Sequence, residues 1–216
     1  MLSEANRVVN QQDRFLLLTI SSPSGAGKST LIAKLRERVQ DMRFSISHTT
    51  RPPRANEKDG CDYHFTDRST FRSMVEADAF VEWAEVHGNL YGTSDREISE
   101  ARGAFGGVLF DVDCHGARQI RSRYADAVSV LILPPSLVEL ERRLRQRASD
   151  SEESITRRLQ AAIGEISYYG VFDYIVVNDC LEEASEQLYG ILLAERCRRS
   201  RRARMAESLL RTSRWC

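Results

Sequence analysis

No apolar run in these 216 residues approaches the roughly 20 that a membrane-spanning helix needs. Residues 1–14 are polar and lack the apolar core of a secretory signal, so neither a membrane span nor a signal peptide is expected. Cysteine is too sparse for a disulfide framework: the five (Cys61, Cys114, Cys180, Cys197, Cys216) are odd in number, scattered and without metal-ligand spacing. They read as reduced thiols of a cytoplasmic protein. Net charge is lacking as well, with 31 basic against 31 acidic residues, so no global field draws nucleic acid or a membrane surface. Internal repeats and low-complexity linkers are absent. What remains is ordinary globular material, 42% hydrophobic and 29% charged, long enough for one large domain with a proper core.

Charge is uneven locally. The segment RCRRSRRAR at 196–204 is strongly basic, and Arg211 and Arg214 follow. It reads as a solvated helix end or frayed tail, with a weak contact to RNA, anionic lipid or an acidic partner as the alternative. No aromatic residue interleaves the arginines, so base stacking has no support there and no specific nucleic-acid partner is expected.

The stretch FLLLTISSPSGAGKSTL, residues 15–31, is the most informative. An apolar, β-branched run feeds a Gly-containing loop, then Lys28-Ser29-Thr30, then a helical pattern. A strand, a phosphate-sized loop and a helix N-terminus in that order make a P-loop. Backbone N–H groups from Ser22, Pro23, Ser24, Gly25, Ala26 and Gly27 onward (Pro23 excepted, which has none) converge on one anion, aided by the helix dipole. Lys28 is placed for the β- and γ-phosphates of a nucleoside triphosphate and the Ser29 hydroxyl for Mg²⁺. One departure stands out: the first Gly of the pattern is Ser22.

Helix and strand signals alternate elsewhere. Strands are expected at 15–21, 108–113, 128–133 and 174–178, and helices at 28–40, after Gly116, from the N-cap Ser136 to Arg147, over 152–167 and over 181–204. Continuous apolar strands between helices imply an α/β fold, a parallel sheet covered on both faces. Residues 44–103 break the rhythm with turn residues and alternating polar and aromatic positions. They suggest an inserted α+β region carrying a second substrate site opposite the P-loop. Asp111 ends its strand in the manner of a Walker B carboxylate, placed to hold Mg²⁺ through water. Glu139–Arg143 and Glu141–Arg145 have the spacing of helix-surface ion pairs, and Arg142, Arg143, Arg145 and Arg157 read as surface.

The motifs SSPSGAGKST, SISHTTRPPRANEKDGCDYHF, FVEWAEVHGNLYGT, LFDVDCHG, RLRQRASDSEESITRRL and YIVVND, in that order over about residues 15–195, resemble those of the guanylate kinases. The resemblance implies a P-loop kinase with an inserted GMP-binding region and a helical lid, transferring the γ-phosphate of ATP to GMP with Mg²⁺. It implies an N-terminal extension at 1–14, a kinase domain at 15–205 and a tail at 206–216. Within the domain the core would be 15–43, 104–142 and 168–205, the GMP-binding insertion 44–103 and the lid 143–167. Arg51 and Arg54 can present two guanidinium forks to one phosphate, and Tyr63 and Tyr91 add phenolic donors. The resemblance gives these four the GMP phosphate. Glu82 can accept from both N1–H and N2–H₂ of guanine, whereas adenine turns a lone pair toward it. By resemblance Ser47, Thr93 and Asp113 assist at the base, Arg147 and Arg158 supply lid cations to the transferred group, and Asn178 stands near the adenine of ATP. The usual Gly after the first lid arginine is Ala148, which bears on lid flexibility. dGMP is an expected second acceptor. Two alternatives remain open: a catalytically silent module binding phosphopeptides, against which the retained P-loop argues, and a kinase for AMP or UMP, against which Glu82 and Ser47 argue. Monomer and homodimer both remain open.

Overall fold

Residues 15–86, 88–146 and 151–212 are described by the structure, a computed structural model. Arg147 and Ala148, like residues 1–14, lie outside them. The chain runs β1 (Leu16–Ser21), α1 (Lys28–Arg38), β2 (Met42–Phe44), β3 (His48–Thr49), β4 (His64–Phe65), α2 (Arg68–Glu76), β5 (Phe80–Val86), β6 (Asn89–Ser94) and α3 (Asp95–Ala101). It continues with β7 (Gly107–Asp111), α4 (Cys114–Arg123), β8 (Val128–Leu133), α5 (Leu137–Gln146), α6 (Glu152–Ser167), β9 (Tyr174–Val177), α7 (Leu181–Arg196) and α8 (Arg199–Thr212).

Two sheets result. Five parallel strands lie in the order β2-β7-β1-β8-β9, and four others, paired both parallel and antiparallel, in the order β4-β3-β6-β5. β1 is central and wholly buried, and its alternation divides the core. Leu16, Leu18 and Ile20 pack with α1 and α7, while Phe15 and Leu17 pack with α3 and α4 on the other face. Burying each such side chain is worth about 1.5–3 kcal/mol, so β1 is fixed from both sides. The loop after β1 therefore emerges at a rigid point, beside the strand-order reversal where α/β sheets form their crevices.

The second sheet falls between β2 and β7 in the chain. It has its own small core of Phe71, Phe80 and Leu90, with the Phe71 and Phe80 rings stacked at 4.4 Å. α2 starts at Asp67, whose side chain accepts from the Thr70 N–H at 2.8 Å.

The C-terminal segment corrects one expectation. In place of a single helix over 181–204, α7 ends at Arg196 and α8 begins at Arg199. The arginines there are partly anchored rather than solvated. Arg196 pairs with Asp41 at 2.8 Å, and Arg201 donates to the carbonyls of Phe15 and Asp126 at 2.7 and 2.6 Å. Those contacts turn α8 back onto the body, and the helix runs on past residue 205. Among the described residues no helix is long and apolar enough to cross a membrane.

Candidate active site

The loop after β1 is shaped by two glycines. Gly25 and Gly27 have φ of +95° and +93°, a region that L side chains rarely adopt. Gly27 is also the N-cap of α1, and a Cβ there would sit 2.2 Å from Nδ2 of Asn178. That amide donates to the Ala26 carbonyl at 2.7 Å. Asn178 is buried, so its side chain supports the P-loop from beneath rather than standing open to an adenine ring. Ser22 has no positive φ and turns its hydroxyl to the Pro23 carbonyl at 3.1 Å, so the departure from Gly carries no backbone strain. Arg143, expected on the surface, is half-buried and donates to the Asn178 carbonyl at 3.0 Å while pairing with Glu139. A polar residue one turn from a helix end can reach a neighbouring strand end that linear spacing does not reveal. The expected Glu141–Arg145 pair is present, and Arg145 also bonds Glu152 at 2.9 Å, tying α5 to α6.

Lys28 points to the end of β7. Its ammonium lies 2.6 Å from Oδ1 of Asp111 and 3.3 Å from the Val112 carbonyl. Ser29 and Thr30 are exposed on the first turn of α1. From α6, Arg158 donates to the Ser24 hydroxyl at 2.7 Å, so this residue stands at the P-loop. Glu165, seven residues further along α6 and so on the same stripe, also faces the loop. Burial pushes its carboxyl up, Lys28 opposes that, and the Ser24 N–H donates to it. Sequence reading missed Glu165; its spacing from Arg158 was the available signal.

Across a cleft of about 760 Å³ stand residues of the second sheet, and Ser24, Lys28, Ser47, Glu82, Asp111 and Asp113 all line it. Glu82 on β5 is buried. Its Oε1 accepts from the Thr93 hydroxyl at 2.6 Å, and that hydroxyl lies 3.0 Å from the hydroxyl of Ser47. Because Thr93 has one proton and gives it to the carboxylate, Ser47 must be the donor to Thr93. The two hydroxyls form a directed chain ending on Glu82. Burial pushes the Glu82 carboxyl up to about 7; the Thr93 hydroxyl opposes the rise and the charge of Asp113 adds to it. Asp113 caps α4, accepting from the Gly116 N–H at 2.7 Å. Oε2 of Glu82 lies against Gly116, where a Cβ would approach it to 2.9 Å.

The phosphate-binding candidates are gathered more loosely. The rings of Tyr63 and Tyr91 are 6.1 Å apart, and Arg51 lies over Tyr63 at 5.4 Å. Both oxygens of Glu57 accept from Nη2 of Arg51, at 2.8 and 3.0 Å, and the same carboxylate accepts from the Arg54 N–H at 2.8 Å. An acidic group thus occupies the guanidinium fork that was expected to face phosphate, while the Arg54 side chain is exposed. Glu57 was not singled out from sequence, although an acidic residue three after Arg54 in RPPRANE was visible.

Comparison with known proteins fits this geometry. The family model Guanylate kinase matches residues 15–195. A guanylate kinase of Myxococcus xanthus (strain DK1622) is 49% identical over 187 residues, covering 86% of this chain and 90% of that one. One from Nitrosomonas europaea is 48% identical over 194 residues, covering 90% and 96%. Among solved structures, the guanylate kinase of Anaplasma phagocytophilum superposes with a TM-score of 0.71 at 34% identity, covering 87% of this chain and 89% of that one.

Proposed function

The chain belongs to the guanylate kinase family, and we propose that it transfers the γ-phosphoryl group of ATP to GMP, giving ADP and GDP. The observation that carries this reading is the Ser47–Thr93–Glu82 chain facing Lys28 and Asp111 across one cleft. An ionised Glu82 matches the two adjacent donors of guanine, and a mismatched base would strand a buried charge.

In the transfer, the bond between the γ-phosphorus and the ADP oxygen breaks as a bond to a GMP phosphate oxygen forms. The acceptor oxygen is already anionic, so no general base is needed and catalysis is positioning with charge neutralisation. P-loop N–H groups hold the ATP phosphates, and Lys28 and Arg158 place positive charge on the transferred group. Arg147 shares that role in this reading, with residues 143–167 acting as a lid that excludes water. Arg51, Arg54, Tyr63 and Tyr91 hold the GMP phosphate, with Arg51 exchanging the Glu57 carboxylate for it. Asn178 acts on ATP through the P-loop backbone that it braces.

Mg²⁺ fits the residues present: the Ser29 hydroxyl and the Asp111 carboxylate are the hard oxygen donors it prefers. Among the described residues no three acidic, His or Cys side chains form a ready cage, so these two would hold an ion that arrives with the nucleotide. When bound, it neutralises charge on the β- and γ-phosphates. dGMP is accepted through the same base and phosphate contacts.

ADP formation from ATP and Mg²⁺, with GMP, AMP, CMP and UMP offered separately, tests the reading. Turnover with GMP alone supports it. Preference for another monophosphate keeps the P-loop and overturns the role of Glu82. Binding of GMP without turnover points to a silent binding module.

A further inference from the structure

We infer that Gln119 is a positioning residue for guanine recognition: its side-chain amide acts as a substitute neighbouring strand for the free edge of β5 and thereby sets where Glu82 stands. The inference rests on Glu82 as the base-reading group.

β5 is the outer strand of its sheet, so one backbone edge has no strand partner. Its ladder with β6 is irregular next to the critical residue, because the register slips between Phe80 and Glu82. A bulge bends the strand and leaves a residue unpaired, so β6 alone constrains this point weakly. On the free edge, Oε1 of Gln119 accepts from the Trp83 N–H at 3.1 Å, and Nε2 donates to the Trp83 carbonyl at 3.0 Å. A primary amide offers the same donor and acceptor as a peptide unit, and only one orientation of the amide satisfies both bonds.

The contact belongs to a stripe. Gly116, Gln119 and Arg123 are spaced i, i+3 and i+7, which places them on one face of α4. Gly116 leaves room for Oε2 of Glu82, and Arg123 donates to the Phe80 carbonyl at 3.1 Å and to the Asp78 carboxylate at 2.9 Å. The same helix begins at the Asp113 cap, at the floor of the cleft. Helix α4 thus holds β5 on both sides of the bulge, and Gln119 holds the peptide just past Glu82. Gln119 itself lies outside the cleft lining, so it acts through the strand and not on the substrate.

The test compares wild type, Gln119→Met and Glu82→Gln in steady-state assays with GMP and IMP at saturating ATP. IMP keeps N1–H but lacks the 2-amino group, so the GMP:IMP ratio of kcat/KM reads the geometry of the second carboxylate oxygen. Met fills similar volume without a donor or an oxygen acceptor. Loss of two hydrogen bonds should raise the GMP KM on the order of tenfold. The GMP:IMP preference should fall by a similar factor, while the ATP KM is unchanged and kcat stays within about twofold. Amide hydrogen exchange on the wild-type chain should show a protected Trp83 N–H that exchanges faster in Gln119→Met. An unchanged GMP KM and preference in a folded Gln119→Met overturns the inference, as does an equal loss for GMP and IMP through kcat. If that variant does not fold, free exchange of the wild-type Trp83 N–H overturns it and protection sustains it. Glu82→Gln separates the two claims. If it leaves the GMP preference intact, the base-reading role falls and this inference with it; if it abolishes the preference while Gln119→Met does not lower it, only the role of Gln119 falls.

Discussion

Lowering the pH from 8 to 6 should weaken GMP use through one residue. Burial first, opposed by the Thr93 hydroxyl and assisted by Asp113, places the Glu82 carboxyl at about 7. Guanine needs both carboxylate oxygens as acceptors, and protonation turns one of them into a donor. The apparent GMP KM should therefore scale inversely with the ionised fraction and rise roughly tenfold between pH 8 and pH 6, about 1.4 kcal/mol. The phosphate of GMP titrates near the same range, with a second pKa of about 6, so Glu82→Gln serves as the reference: its GMP KM should be high throughout and keep only the phosphate's own pH dependence. Stability should move in a linked direction. The folded value lies above the ordinary 4.5, so the neutral form is what folding favours. That contribution is fully present below about 4.5 and is lost as pH rises through 7, to an extent on the order of 3 kcal/mol. Glu82→Gln is neutral at every pH, so it should melt higher than wild type at pH 8 and close to it at pH 4.5. Profiles of KM against pH that coincide for the two proteins, or a variant melting below wild type at pH 8, would refute the reasoning.

Gly116→Ala separates stability from function: helix propensity should gain about 1 kcal/mol, while the new Cβ, 2.9 Å from Oε2 of Glu82 and 3.1 Å from Cβ of Val112, costs a similar amount. Calorimetry should find Tm nearly unchanged, and kinetics should find the GMP KM raised about tenfold. Gly27→Ala must abandon φ +93° and displace the Asn178 amide at 2.2 Å; ATP binding by titration calorimetry should fall more than about 30-fold, the equivalent of about 2 kcal/mol. Arg201→Ala removes charged donors from the carbonyls of Phe15 and Asp126, so urea unfolding should show a loss of about 1–3 kcal/mol, with kcat and both KM values unchanged.

Much of the parallel core was legible because its signals are local. Val128–Leu133 and Glu152–Ser167 have the bounds expected of them; the first is an unbroken apolar run stopped by Pro134-Pro135, and in the structure Ser151 caps the second by accepting from the Ser154 N–H. The P-loop was legible for a related reason: positive φ at Gly25 and Gly27 and a Lys one residue later leave few alternatives. Glu82 could be named from donor and acceptor logic once a family resemblance picked it out, yet nothing in its neighbourhood along the chain indicated its burial. That burial comes from Gly116, 34 residues away, and from Thr93 across a hairpin.

The contacts that sequence reading did not reach share one property: each side chain acts on a backbone group of another element. Asn178 braces the Ala26 carbonyl, Arg143 the Asn178 carbonyl, Arg201 the Phe15 carbonyl and Gln119 the Trp83 peptide. A carbonyl carries no residue identity, so no pairing of side-chain types marks such contacts. They become readable only when sheet order is known, because order decides which strand ends and which edges are left with unsatisfied groups. β1 at the centre of its sheet offers its C-terminal end to one loop, and the residue after β9, Asn178, braces that loop. β5 at the outside of its sheet offers an edge, and α4 supplies Gln119. The specificity of the cleft thus depends on tertiary contacts of two kinds: a carboxylate that can be recognised by its chemistry, and amide and guanidinium braces that can be recognised only by the peptide groups they satisfy.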